Sequence, residues 1–309
     1  MKHKKSVVAS LIGAIIFGGA VFGAFADTDN SIKDPTFTEN TNGPTIGTTV
    51  NKALNSGDKY YRDSNGNKTV DPFENWELDV DARVKDLVGR MTSIDKLGLL
   101  TVGDRSMGTS YDVEGYKDTL EGWLDEFTGT RTSMFGSSEV IGTTKAISEF
   151  GMRHFIFRES PKPSAIAKWN NAMQQVAEGT THGIPVVIVS NSRNENAEVI
   201  FGMNDASGIF STWPGTLGLA AAALGDGNNQ LITDFAEISR TEWDASGIKK
   251  GYMYMADIVT DPRWQRGYGT FGERTEFVTD AIARIIKGFQ GSSKGVQTNG
   301  VALTTKHFP

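Results

Sequence analysis

"PSAIAKWNNAMQQVAEGTTHGIPVVIVS", residues 163–190, joins a helical pattern to an apolar strand. Pro163 stands where a helix commonly begins, and four apolar residues then recur at the spacing of one helix face: Ile166, Trp169, Met173 and Val176. Residues 184–190 are almost wholly apolar, which is typical of a strand buried on both faces of a parallel sheet. A helix that leads into such a strand predicts an α/β fold.

The same alternation continues on both sides of this segment. Apolar runs predict strands at 152–157, 184–190, 252–259 and 301–306. Helical spacing predicts helices at 81–91, 92–100, 228–247 and 275–289, and Thr92 with Asp95 has the pattern of a capping box. Residues 101–142 show no sustained period and are interpreted as a long loop with some short helix. The alternation predicts a parallel sheet, and by itself it leaves both a doubly wound sheet and a barrel open.

The composition is that of a folded, acidic protein. The chain has 309 residues and 38% of them are hydrophobic, which is enough for one large domain or two ordinary ones. Lys and Arg number 31 against 37 Asp and Glu, and this excess of acid disfavours nucleic acid or an anionic membrane as a partner. The absence of Cys excludes a disulfide framework. A neutral ligand fits this charge balance best.

The first 26 residues have the pattern of a secretory leader. Lys2, Lys4 and Lys5 form a basic start, residues 6–25 carry no charge, and Ala24, Phe25 and Ala26 read as a cleavage site. An uncleaved signal anchor is the alternative, because the uncharged run approaches the length that spans a bilayer. Four glycines in this run favour removal. We therefore predict a signal peptide at 1–26 and a secreted protein that is extracellular, periplasmic or on the cell surface.

Residues 27–80 are interpreted as a loosely structured N-terminal arm, because their first half is polar and rich in Thr, Asn, Asp and Gly. The pair Asn65-Gly66 is a common hairpin turn. It predicts that strands at 59–62 and 68–70 pair with each other across this turn.

No metal or other cofactor is predicted. Asp63, Asn65 and Asn67 alternate in the manner of a calcium loop, but the acidic residue that should close such a loop is interpreted as absent, so a turn is favoured. His154 and His182 have no partner pattern, and no His, Asp and Glu cluster has the spacing of a zinc or iron site. No glycine-rich nucleotide-binding motif follows any predicted strand.

Polar residues follow the predicted strands at their carboxyl ends. In both open and closed parallel sheets the functional site lies beyond these ends. The candidate residues, in chain order, are Asn191, Ser192, Arg193, Asp257, Asp261, Arg263, Lys306 and His307. Their placement predicts one site that is built from several loops.

Three motifs resemble glycoside hydrolase family 3, the β-glucosidases and their relatives. They are "VKDLVGRMTSIDKLGLL" at 84–100, "TDPRWQRGYGTFGE" at 260–273 and "KHFP" at 306–309. The resemblance implies that residues 81–309 are the family's N-terminal domain, incomplete at its C-terminus. The implied fold is about the first half of a (β/α)8 TIM-type barrel, which follows the signal peptide and the arm.

The resemblance also implies a set of sugar-binding residues. Arg263, Lys306 and His307 match family positions that hydrogen-bond sugar hydroxyls. Asn191 stands where the family usually has a carboxylate, and Arg193 is a further donor. Adjacent residues of a straight strand point to opposite faces, so Lys306 and His307 can reach one sugar only if the backbone leaves β geometry. We predict a strained or cis peptide bond at 306–309.

The implied activity is hydrolysis of terminal β-linked glucosyl residues from oligo- or polysaccharides. Retaining glycosidases use two carboxyl groups, and the family's nucleophile and acid/base are expected downstream of Pro309. The chain is therefore interpreted as a fragment that is inactive alone, with no catalytic residue of its own and a carbohydrate partner. The alternatives are a β-N-acetylhexosaminidase, a β-xylosidase, or a non-catalytic carbohydrate-binding protein, the last suggested by Asn191.

Overall fold

The structure, a computed structural model, describes residues 30–107, 119–126, 128–133, 136–196 and 209–307. The predicted signal peptide and the last two residues of the chain lie outside the described residues. Among the helices that are described, none has both the length and the apolar composition that crossing a bilayer requires.

The described elements alternate between strands and helices over most of the chain. The strands are β1 (Thr36–Thr38), β2 (Ile46–Thr48), β3 (Ala53–Ser56), β4 (Lys59–Arg62), β5 (Val102–Arg105), β6 (Gly129–Ser133), β7 (Gly136–Val140), β8 (His154–Phe157), β9 (Val187–Ser190), β10 (Glu195–Asn196), β11 (Trp213–Pro214), β12 (Ile248–Gly251) and β13 (Ala302–Leu303). The helices are α1 (Val80–Arg90), α2 (Ser93–Leu100), α3 (Leu120–Leu124), α4 (Thr143–Ser148), α5 (Pro163–Glu178), α6 (Thr216–Asp226), α7 (Gln230–Ser246) and α8 (Thr275–Gln290).

A five-stranded sheet in the order β13-β12-β9-β8-β5 forms the centre of the fold, and all its pairs are parallel. Phe155 lies beside Ile188 in one pair, and Gly251 lies beside Leu303 in another. The prediction of an α/β fold with a parallel sheet is confirmed. The capping box of Thr92 and Asp95 at the start of α2 is confirmed as well.

The core lies between one face of the sheet and the helices that follow the strands. Phe155, Phe157 and Ile188 are fully buried and belong to one apolar cluster with residues of α5, α7 and α8. Residues 188–190 of the central strand are all buried, whereas β8 alternates between buried and half-buried positions. Among the strands of the described sheet, the central strand is therefore the one with both faces covered.

Two elements differ from the sequence prediction. The third strand lies at 248–251 and not at 252–259, because Gly247 ends α7 in the left-handed conformation (φ 83°) and the chain enters the sheet at once. Residues 252–259 are apolar for another reason, since Met253, Tyr254 and Met255 are buried beyond the strand end. The edge strand β5 lies in the predicted loop, where its mixed polar and apolar residues conceal it.

The N-terminal arm is more ordered than predicted. The hairpin pairs β3 with β4 across the two-residue turn at Gly57 and Asp58, and not 59–62 with 68–70. Gly57 has φ +67°, which suits a tight hairpin turn. The segment around Asn65-Gly66 forms a separate loop after β4, held by the carboxylate of Glu74, which accepts the backbone N–H of Ser64 at 2.6 Å.

The arm is fixed along α5 by two side chains near the end of that helix. The carboxylate of Glu178 accepts the backbone N–H groups of Thr49 and Asn51 at 2.8 and 3.0 Å. Gln175 accepts the N–H of Lys33 at 2.9 Å. Both side chains belong to buried residues, so these bonds are shielded from water. The prediction of a loosely structured arm is wrong for the described part.

The packing of α7 against α8 generates a test of the core. A Cβ atom added at Gly288 of α8 would lie 2.4 Å from the Cβ of Ala236 in α7. We expect Gly288→Ala to lower the free energy of unfolding by about 1–3 kcal/mol, because the two helices must move apart. Gly225→Ala in α6 is the matched control, since its Cβ would meet nothing within 4 Å. Urea unfolding of the full-length protein should show the control at or slightly above wild type. Equal destabilisation by both variants would contradict this packing.

Candidate functional site

A hollow that is open to solvent lies at the carboxyl ends of the sheet strands. Residues after β9, after β12 and after β13 meet there because the three strands are parallel neighbours. The polar side chains that line the hollow include Asn191, Glu195, Tyr254, Arg266 and Lys306.

Lys306 and Asn191 are brought together as the sequence predicts. The ammonium of Lys306 donates to the Oδ1 atom of Asn191 at 3.2 Å and lies 4.9 Å from the ring centroid of Tyr252. The backbone of Lys306 continues the strand pairing, since its N–H donates to the carbonyl of Tyr254 at 3.1 Å. An amide oxygen and an aromatic face therefore orient this cation.

His307 lies between an acid and an arginine. Its backbone N–H and its Nδ1 atom both lie 3.1 Å from the Oδ2 atom of Asp257, and its Nε2 atom lies 3.1 Å from Nη1 of Arg266. A guanidinium can only donate, so Nε2 accepts and Nδ1 carries the proton that is donated to Asp257. The peptide bond between Lys306 and His307 is cis, which confirms the prediction for this segment.

Arg266, which the sequence analysis did not select, lines the hollow in the place expected of Arg263. Arg263 lies outside: its side chain is 88% exposed, and its Nε and Nη2 atoms donate to the carboxylate of Asp261 at 3.0 and 2.7 Å. These hydrogen bonds hold the pKa of Asp261 below its usual value. The expectation that Arg263 and Lys306 face one hollow is therefore wrong.

Arg193 is also misassigned by sequence. It is 1% exposed, and its guanidinium donates to the carbonyl oxygens of Phe157 and Glu159 at 2.9 and 2.8 Å and to the hydroxyl of Ser190 at 2.7 Å. Its cation lies 4.9 Å from the ring centroid of Phe157. Because its donors satisfy backbone carbonyls where β8 ends, Arg193 shapes the floor of the strand ends and is too deeply buried to contact a ligand.

Glu195 is the second residue that the sequence analysis missed. Burial raises the pKa of its carboxyl to about 7, although hydrogen bonds from Ser192, Tyr254 and Thr216 and the charge of Lys306 act in the opposite direction. The pKa of the neighbouring Tyr254 hydroxyl is raised well above its ordinary value, first by burial and then by the charge of Glu195. The sequence offered one signal for this residue: Glu195 is an acid that lies five residues after the end of the buried strand β9.

The chemistry of the hollow suits a neutral ligand rich in hydroxyl groups. Lys306 and Arg266 are charged donors, whereas Asn191 and Glu195 supply oxygen acceptors. Hydroxyl groups both donate and accept, so each can bond to members of both sets. The same arrangement gives an anionic ligand fewer partners, because the acceptor oxygens would repel it.

The comparisons with known proteins agree on one family. The model of the Glycosyl hydrolase family 3 N terminal domain matches residues 151–309. The chain is 33% identical over 249 residues to the periplasmic beta-glucosidase/beta-xylosidase of Dickeya chrysanthemi, covering 80% of this chain and 34% of that protein. It is 34% identical over 237 residues to beta-glucosidase C of Emericella nidulans, covering 77% of this chain and 34% of that protein. The chain thus spans about a third of the length of these relatives.

Solved structures show the same fold. The exo-1,3/1,4-beta-glucanase ExoP of a Pseudoalteromonas species superposes with a TM-score of 0.53 at 17% identity, covering 74% of this chain and 24% of that one. The beta-glucosidase EmGH1 of Erythrobacter marinus superposes with a TM-score of 0.51 at 22% identity, covering 76% of this chain and 26% of that one. Together with the family match and the relatives, this places the chain in glycoside hydrolase family 3.

Proposed function

We propose that the full-length protein hydrolyses terminal β-linked glucosyl residues of oligo- or polysaccharides. The observation that carries the proposal is the hollow in which Lys306, Asn191 and Arg266 converge at the strand ends. The two relatives, a beta-glucosidase/beta-xylosidase and a beta-glucosidase, support the choice of glucose.

The proposed binding residues act through charged hydrogen bonds. Sugar hydroxyls are neutral, and a hydrogen bond from a charged donor contributes about 1.5–3 kcal/mol to such a partner. We assign this role to Lys306, His307 and Arg266, with Asn191 as an uncharged partner that also orients Lys306. Asp257 is a positioning residue, because its carboxylate holds the imidazole of His307.

The proposed mechanism is retaining, with two carboxyl groups about 5–5.5 Å apart. Asp257 is engaged with His307, and Glu195 is bonded to Ser192 and Thr216 within the wall of the hollow. We therefore assign the nucleophile and the acid/base to residues that follow Pro309 in the full-length protein. The matched region covers 34% of each relative, so the relatives are about three times as long as that region, and this supports the assignment.

We also propose that the sheet is part of a (β/α)8 barrel within residues 81–309, following a signal peptide at 1–26 and an arm at 27–80. In the described sheet β5 and β13 each have a neighbour on one side only. Several apolar side chains near β5 are exposed, as they would be if further barrel units covered them: Val84, Val88, Leu97, Leu100 and Val102. Export of the protein is supported by the basic and apolar pattern of the leader and by the periplasmic relative.

The activity is tested with nitrophenyl β-glycosides and the full-length protein. We expect turnover of the β-glucoside to exceed that of the β-xyloside and the β-N-acetylglucosaminide. A preference for either of the other two would replace the proposed substrate within the same family. Binding of oligosaccharides without turnover of any glycoside would overturn the enzyme in favour of a carbohydrate-binding protein.

Two arginines of one loop test which of them contacts the sugar. We expect Arg266→Gln to lower kcat/KM by roughly 10- to 100-fold, the equivalent of one charged hydrogen bond. Arg263→Gln is the matched control, because its side chain pairs with Asp261 outside the hollow and should leave kcat/KM within about twofold. The reverse order of the two effects would contradict the proposed site.

Glu195 predicts a specific dependence of stability on pH. Its pKa is about 7 in the folded protein against 4.5 for an ordinary glutamate, so between these values the folded state holds a proton that the unfolded state has lost. The contribution of Glu195 to the free energy of unfolding is therefore complete below pH 4.5 and declines as pH rises through 7. Glu195→Gln removes this decline, and the variant should gain stability relative to wild type between about pH 5 and pH 8. Urea unfolding at several pH values measures this difference, and a constant difference would refute the assignment.

A further inference from the structure

A twelve-residue segment that follows the arm hairpin in the chain has the residue spacing of a calcium-binding loop. It is "DSNGNKTVDPFE", residues 63–74, which directly follows β4. Oxygen-bearing residues occupy the first, third, fifth, seventh, ninth and twelfth positions: Asp63, Asn65, Asn67, Thr69, Asp71 and Glu74. Glu74 is the closing acid that the sequence analysis failed to identify.

Asp63 provides an independent observation that points to a cation. The residue is 4% exposed, and its Oδ1 atom is buried without a hydrogen-bond partner. Its other oxygen, Oδ2, accepts the backbone N–H of Lys68 at 3.1 Å. A carboxylate oxygen held away from both water and donors is costly, and coordination of a cation removes that cost.

The sixth position of the loop has the backbone that such a loop requires. Glycine usually occupies this position because the chain turns sharply there. Here the residue is Lys68, which has φ +63° and is the non-glycine residue with positive φ among those that the structure describes. This turn brings the N–H of Lys68 to Asp63.

Glu74 joins the two ends of the loop. It is 5% exposed, and its carboxylate accepts the N–H of Ser64 at 2.6 Å and the N–H of Asp71 at 2.9 Å. Within the described residues no three Asp, Glu or His side chains are arranged as a finished metal site. The third and fifth positions of this loop are amides, and Asp71 is held by the side-chain N–H groups of Asn65 and Asn67.

We propose that residues 63–74 bind one Ca²⁺ ion. The carboxylates of Asp63 and Glu74, the amide oxygens of Asn65 and Asn67 and the carbonyl of Thr69 would be ligands, with Asp71 acting through water. A flexible loop that offers many oxygen atoms suits the larger Ca²⁺, because Mg²⁺ demands strict octahedral geometry and keeps its waters. Binding turns the amide oxygens and the Glu74 carboxylate from the loop's own N–H groups to the ion.

The neighbours of the loop assign the ion a structural role. Arg90 of α1 donates to Asp71 at 2.9 Å, and Arg83 of the same helix donates to the carbonyl of Phe73 at 3.2 Å. Asn51 of the arm donates to the carbonyl of Ser64. An ion in this loop would therefore hold the arm to α1, and the hollow at the strand ends draws on other residues.

The proposal is tested on the full-length protein after treatment with a chelator and dialysis. Tb³⁺ serves as the probe, because Trp76 lies two residues beyond the loop and can sensitise its luminescence. We expect saturable luminescence that Ca²⁺ displaces at a far lower concentration than Mg²⁺. Thermal unfolding should occur at a higher temperature in Ca²⁺ than in EDTA. Unchanged melting in Ca²⁺ and EDTA, or luminescence that Ca²⁺ does not displace, would overturn the proposal.

Three variants locate the site. Asp63→Asn and Glu74→Gln should each weaken Ca²⁺ binding by at least about tenfold, whereas Asp58→Asn, in the exposed hairpin turn, should leave it unchanged. Lys68→Gly removes a positive charge and the strain of a positive φ, and it should tighten Ca²⁺ binding. This gain does not depend on the stability of the weakened variants. Equal binding by wild type, Asp63→Asn and Lys68→Gly would place the ion elsewhere and refute the assignment.

Discussion

The parallel pairing of β9, β12 and β13 is the constraint on which the candidate site depends. Gly251 lies beside Ser190 on one side and beside Leu303 on the other, so the three strands end at one level. Asn191 and Lys306, 115 residues apart in the chain, are brought within hydrogen-bond distance by this pairing. The apolar cluster that the sheet shares with α5, α7 and α8 stabilises this pairing. Packing of the core therefore determines which polar side chains face each other at the surface.

The sequence predicts those parts of the fold in which the segment with periodic apolar residues is also the segment with the backbone hydrogen bonds of a helix or strand. Helices α5 and α8 carry one apolar face each and are found where the period places them. Residues 252–259 are the counter-example: their apolar residues are buried beyond β12, and their pairing with the sheet is limited to an isolated bridge between Met255 and Lys306. The prediction misses strand β5 for the opposite reason. This strand is paired along its whole length but is half exposed, so its composition resembles that of a loop. An apolar pattern reports burial, and it reports a strand only when the buried segment is also paired.

The candidate site shows a similar limit at the level of side chains. The sequence predicts which loops follow the strands, yet three arginines in these loops have three different environments. Arg193 donates to backbone carbonyls, and Arg263 donates to Asp261 two residues away. Arg266 lines the hollow beside His307. Each outcome depends on which acceptor lies nearest in the folded chain. That information is local for Asp261, and it was readable from the sequence, but for Arg193 it comes from another strand.

Three acids of this chain, the buried Glu178 and Asp63 and the half-buried Glu195, have physically different environments. Glu178 receives backbone N–H groups of the arm, so its charge is met by donors within the chain. Glu195 keeps a proton to about pH 7, so burial is tolerated by loss of the charge itself. The Oδ1 atom of Asp63 has no hydrogen-bond donor among the described residues, although the residue is as deeply buried as Glu178. A ligand from solution would supply the missing partner, and a hard divalent cation is the one that the surrounding oxygen atoms favour.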